Sequence, residues 1–122
     1  MNRKLTFSEL MAVQHQFDSE HASQGRPWSE KIGEENIQIL LELTVALSGE
    51  LGEFANIVKS IARGDYGLED AKGRLSNELA DVFIYVVKLA DQLGIDLERA
   101  FLEKVELNKE RFRKYERRRE EQ

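Results

Sequence analysis

No cysteine occurs in the 122 residues, which removes a disulfide framework, a thiolate nucleophile and a zinc-finger ligand set together. Proline appears once, glycine eight times, and no run of alternating strand residues interrupts the chain. That scarcity of turn and strand signals leaves helices. No apolar stretch is long enough to span a bilayer, and the start, MNRKLTFSEL, lacks the apolar segment of a signal peptide. Both absences, with the missing cysteine, fit a reducing cytoplasm. An excess of positive charge is missing too. A net charge of −5 argues against general nucleic-acid binding, whose footprint is basic. A polyanionic small molecule can still bind if metal ions and a few local cations screen its approach.

Helical periodicity fills most of the chain. Thr6 with Glu9 reads as a capping box, opening a first helix that carries Phe7, Leu10, Met11, Val13, Gln14 and Phe17 toward about His21. The loop ASQGRPWSEKIGEEN holds the only proline and the only tryptophan. A second helix is predicted over Glu34 to Ala62, closed by Gly64 in the turn RGDYG, and a third over Leu68 to Leu93, ended by Gly94. Asp96 caps a fourth, which starts at Leu97 and continues into a charged helical tail over about 113–122. Four helices with short links make a single all-α domain, a four- to five-helix bundle. The third helix is apolar nearly all round, so neighbours in one layer cannot cover it. The prediction is a homodimer or homotetramer that assembles through its apolar helices.

Against that background two acidic pairs stand out. Leu40, Leu43, Leu47, Phe54, Ile57 and Ile61 follow a 3/4 spacing, and Glu50 occupies the vacant slot in that stripe, with Glu53 three residues on. In LSNELADVFIYVV the pair is Glu78 and Asp81, and from Leu79 to Ala90 only Asp81 and Lys88 are polar. Residues three apart share a helix face. Carboxylates placed on an apolar face repel one another and are poorly solvated, and a divalent cation reverses that balance. Oxygen ligands without histidine or cysteine suit Mg2+, or Mn2+, rather than zinc or copper. A lone pair of this kind is commonly plain surface; two linked pairs interrupting apolar stripes point to a metal site. Gly49 and Gly52 weaken the same helix and suit close approach of a packed helix or a ligand.

On the fourth helix Lys104, Asn108 and Arg111 fall at i, i+4 and i+7, one stripe able to hold phosphate oxygens not taken by metal. The surrounding charge density also fits an ordinary solvated helix.

The whole pattern, E-x-x-E, a spacer, E-x-x-D and then K-x-x-x-N-x-x-R, resembles the MazG-type branch of the all-α nucleoside triphosphate pyrophosphatases, a superfamily that includes dimeric dUTPases and dCTP pyrophosphatases. The resemblance runs from about Leu40 to Phe112. It implies one MazG-like domain over 1–122, rather than the tandem arrangement of some MazG proteins. It implies that Glu50, Glu53, Glu78 and Asp81 bind magnesium, and that Lys104, Asn108 and Arg111 contact a nucleoside triphosphate. The reaction implied is hydrolysis of an NTP or dNTP to its monophosphate and pyrophosphate by water attack at the α-phosphorus, a housecleaning of the nucleotide pool. Glu50 or Glu53 would activate the water, and the sequence does not choose between them.

The resemblance is weakest in the first third, where base recognition belongs. His21 and Trp28 are candidates to stack on or hydrogen-bond a nucleobase, while Phe17 fits the core better. Two rival readings follow from the residues. A carboxylate-bridged di-iron bundle needs two E-x-x-H motifs, and only Asp18-x-x-His21 has that spacing. A non-enzymatic oligomeric helical binding module, using Arg117, Arg118 and Arg119 to hold a partner or nucleic acid, is the stronger alternative.

Overall fold

The computed structural model describes residues 3–117. Four α-helices dominate: α1 (Phe7–Ser19), α2 (Ile37–Arg63), α3 (Leu68–Leu93) and α4 (Leu97–Arg111). The capping box forms as the sequence predicts. The Thr6 hydroxyl accepts from the Glu9 N–H at 3.2 Å and the Glu9 carboxylate accepts from the Thr6 N–H at 2.8 Å. Those bonds hold the Glu9 carboxyl below its usual pKa, with the Thr6 backbone donor contributing most. Gly64 and Gly94 end α2 and α3 in the left-handed conformation, and Asp96 Oδ1 accepts from the Arg99 N–H at 3.0 Å to start α4.

Three departures from the sequence reading have local causes. α1 stops at Ser19 rather than near His21, and the loop beyond it contains a two-residue antiparallel ladder, β1 (Ala22–Ser23) with β2 (Arg26–Pro27). Gln24 and Gly25 both have positive φ, 53° and 79°, the backbone of a tight hairpin turn that glycine makes accessible. Residues Glu34–Asn36 form a 3₁₀ turn before α2, because the Asn36 side chain bonds back to the Gly33 N–H at 2.6 Å and the Lys31 carbonyl at 2.8 Å. At the far end α4 stops at Arg111, and Arg113–Tyr115 form a 3₁₀ turn. There Phe112 and Tyr115 pack ring on ring at 6.4 Å, and Arg113 pairs with Glu110 at 2.6 Å. The remainder of the expected tail, including Arg118 and Arg119, lies outside the described residues.

The body is the α2–α3 hairpin with α1 laid on α3. Phe7 meets Phe83 edge-on at 6.4 Å between centroids, and His15 Nδ1 lies 2.8 Å from Asp91 Oδ2. The two helices therefore run in the same direction. The segment after the hairpin is pinned to the end of α3, where the Ile32 N–H reaches the Gln92 carbonyl at 2.9 Å and Gln92 Nε2 reaches the Glu30 carbonyl at 2.9 Å. α4 makes little contact with the other helices and buries no residue.

Few apolar side chains are fully covered. Among the described residues only Ala71, Val87 and Ala90 are buried apolar ones. On α2 the predicted stripe Leu40, Leu43, Leu47, Glu50, Phe54, Ile57 and Ile61 is half-buried throughout, so Glu50 does sit in an apolar seam. A second set, Ile37, Leu41, Val45, Leu51 and Val58, lies exposed on the flank. Among the described residues no helix is long and apolar enough to cross a membrane.

Candidate functional site

Pairing α2 with α3 brings the two acidic motifs together. One carboxylate oxygen each from Glu50, Glu78 and Asp81 lies within 4.8 Å of the others. Each comes from a half-buried position on the facing seam. Glu53 projects from an exposed position and stands outside that set of three, although its charge still acts on Glu78. The cluster strains Glu78 most: its carboxyl is pushed up to about 7. Loss of solvation is the main cause, followed by a hydrogen bond with Glu50 and then by repulsion from Glu53, Glu50 and Asp81. Glu78 Oε2 is buried with no hydrogen-bond partner among the described residues. An orphaned buried oxygen among three convergent hard donors fits an oxygen-liganded divalent cation.

The electrostatics carry a sign that can be checked. A carboxyl held above its unfolded pKa binds its proton better in the folded protein. Its contribution to stability is complete below the unfolded value of 4.5 and is lost as pH rises through about 7. In chelator the melting temperature is therefore expected to fall between about pH 5 and pH 8 from this group. Millimolar magnesium is expected to restore it, far more at the upper pH than at the lower, because the cation replaces the proton. Thermal melts with and without magnesium at both pH values measure this. An equal response at the two would be inconsistent with cation and proton competing for one cluster.

Glu50 and Asp81 also line a cavity of about 730 Å3. Its walls come from α1, α2, α3 and the hairpin loop, with Phe17 and Trp28 among the lining residues. Phe17, predicted as core, is instead 49% exposed: α1 rests on α3 through Phe7, leaving the ring of Phe17 at the cavity. It stacks on His21 at 4.3 Å, and His21 stacks on Trp28 at 5.0 Å. His21 Nδ1 is bonded to the Phe17 carbonyl at 2.6 Å and Trp28 Nε1 to Ser23 Oγ at 2.8 Å. His21 therefore stacks on both other rings and is not itself among the lining residues.

Lys104, Asn108 and Arg111 do share one stripe of α4, but none of them lines the cavity. Arg111 lies over the ring of Phe112 at 4.9 Å. Among the described residues Gly49 and Gly52 meet nothing within 4 Å of an added Cβ, so packing within the chain does not explain them. The lining also includes polar residues to which sequence reasoning assigned no role, Gln14, Asp18, Lys88 and Gln92. The one advance signal was Lys88, a lone cation in an apolar run.

Residues 34–122 match the MazG-like family, spanning α2 to the end of the chain and so all four carboxylates. The chain belongs to the MazG-like family. Among curated proteins this MazG-like chain is 38% identical to dCTP pyrophosphatase 1 of Homo sapiens over 74 residues, 57% of this chain and 44% of that protein. It is 35% identical to the dCTP pyrophosphatase 1 of Rattus norvegicus over a stretch of the same size. It is also 43% identical to the Gene 37 protein of Mycobacterium phage L5 over 63 residues, 50% of this chain and 55% of that one. The chain spans about half the length of the curated relatives it matches.

Proposed function

We propose that this protein is a magnesium- or manganese-dependent nucleoside triphosphate pyrophosphohydrolase that converts an NTP or dNTP to its monophosphate and pyrophosphate, clearing the nucleotide pool. The observation that carries this reading is the junction of the Glu50–Glu78–Asp81 cluster with a cavity walled by aromatic rings. A phosphate chain needs the first and a base needs the second. Membership of the MazG-like family and the likeness to dCTP pyrophosphatases support it.

Glu50, Glu78 and Asp81 would hold the cation. When bound, it supplies neutralisation of the phosphate oxygens and polarisation of the α-phosphorus. Glu53, outside the three, is the carboxylate free to accept a proton from water. The water oxygen forms a bond to the α-phosphorus, the bond from the α-phosphorus to the α–β bridging oxygen breaks, and pyrophosphate leaves with that electron pair. Lys104, Asn108 and Arg111 would bind phosphate oxygens, and Trp28, backed by His21, would face the base. Pyrophosphate and monophosphate are expected in equal amounts from a panel of ribo- and deoxynucleoside triphosphates with magnesium. Release of orthophosphate with the diphosphate, or no release from any nucleotide, would overturn the reading.

Assembly as a homodimer or homotetramer belongs to the same proposal. The chain exposes 9716 Å2, where a compact monomer of its mass would expose about 6,700 Å2. The exposed flank of α2 and the isolated α4, with Phe101, Leu102 and Leu107 open, need covering. Val45→Asp on that flank is expected to dissociate the assembly in sedimentation velocity. An unchanged sedimentation coefficient would remove this flank as the interface.

A further inference from the structure

The wall of the cavity beyond the carboxylates contains a buried ion pair that the hydrolytic step does not use. Asp18 is 2% exposed and Lys88 9%, with Lys88 Nζ 3.1 Å from Asp18 Oδ2. Gln14 Nε2 donates to Asp18 Oδ1 at 3.0 Å, and Lys88 Nζ also donates to the Trp28 carbonyl at 3.4 Å. One turn along α3, Gln92 is 3% exposed and its Oε1 is buried without a partner among the described residues. All of these residues line the cavity.

A clamp between α1 and α3 does not require the pair, because the Phe7–Phe83 contact and the His15–Asp91 bond already join those helices. Two charges withdrawn from water are a costly way to build a wall that leucines would fill. The pair does offer a ligand unused bonding capacity. An ammonium has three donors, of which two are engaged here, and a carboxylate has about four acceptor positions, of which two are engaged. A donor and an acceptor thus stand side by side, and the unpartnered Gln92 oxygen adds a further acceptor.

That arrangement complements the edge of a nucleobase, where an N–H lies next to a ring nitrogen or carbonyl. Placement agrees. Asp81, Lys88 and Gln92 follow one stripe of α3, and Lys88 lies seven residues beyond Asp81, about 10 Å along the helix. The hydrogen-bonding edge of a base stands off from the 5′-phosphorus of a nucleotide by a comparable length. Phe17 and Trp28 present ring surface to the same space. We propose that the Asp18–Lys88 pair, braced by Gln14, reads the hydrogen-bonding edge of the nucleobase and sets base preference. This assignment rests on the nucleotide-site reading above.

Trp28 is the only tryptophan, so its fluorescence reports occupancy of the cavity without turnover. Titration with CMP, UMP, AMP and GMP is expected to give dissociation constants spread by about tenfold or more. For the preferred base, methylation of the ring nitrogen on its hydrogen-bonding edge is expected to weaken binding by about tenfold, whereas a methyl on the opposite edge does little. In the Asp18→Asn/Lys88→Met double variant, which leaves no orphaned charge, the spread among bases is expected to shrink to within about threefold. An edge-methylated nucleotide that binds as well as its parent, or an unchanged ranking in the folded double variant, would overturn the proposal. So would an unresponsive Trp28 with all four monophosphates. Base-selective binding without pyrophosphate release would remove the hydrolase and leave the base reader. Pyrophosphate release that ignores edge methylation would do the reverse.

Discussion

Glu50→Gln and Asp81→Asn are each expected to lower pyrophosphate release by about a thousandfold or more while the protein stays folded. Each substitution keeps the shape of the side chain and removes one negative charge from the Glu50–Glu78–Asp81 cluster. The same change relieves part of the repulsion on Glu78, whose carboxyl is pushed up to about 7 by loss of solvation first and by its acidic neighbours second. Without metal, both variants should therefore melt no lower than the parent, and the gain on adding magnesium should shrink. Loss of activity with retained stability separates a metal site from a structural cluster. It also decides against the non-enzymatic oligomeric module, in which neither carboxylate has a task. Steady-state pyrophosphate assays alongside thermal melts in chelator and in magnesium measure both. Full activity in either variant would remove that residue from the site.

The largest effect on stability is expected from Lys88→Met alone, about 3–5 kcal/mol, because it strands the Asp18 carboxylate in a buried position. Asp18 keeps only the Gln14 amide as a partner at 3.0 Å once the ammonium is gone. Adding Asp18→Asn to Lys88→Met removes the stranded charge and is expected to recover most of the loss. Urea denaturation of the parent, both single variants and the double variant closes the cycle. A loss below about 1 kcal/mol in Lys88→Met would mean that water reaches the pair freely.

Much of this was readable along the chain because it is local. The bounds of α3, Leu68 to Leu93, follow from an apolar helical pattern and a closing glycine. The Thr6–Glu9 capping box involves residues three apart. Glu50 was conspicuous because a period of 3.6 left it in an apolar slot. Where short-range side-chain bonds competed with helix, reading failed: Asn36 turned the start of α2 into a 3₁₀ turn, and Gln24-Gly25 folded a loop into a hairpin.

By itself the sequence determined that the protein is all-α, that two acidic pairs interrupt apolar seams, and that oxygen donors without sulfur or imidazole suit a hard cation. Periodicity, capping and donor chemistry are properties of neighbours in the chain, so they need no tertiary information. Only the fold decided that Glu50, Glu78 and Asp81 converge while Glu53 stands apart. The fold also turned Phe17 to the cavity, stacked His21 on Phe17 and Trp28, and left Lys104, Asn108 and Arg111 on α4, outside the cavity lining. It joined Asp18 to Lys88 across seventy residues of chain. Such meetings depend on which seam of one helix packs on which face of another, and hydrophobic burial, which selects that packing, acts on whole surfaces rather than on spacing.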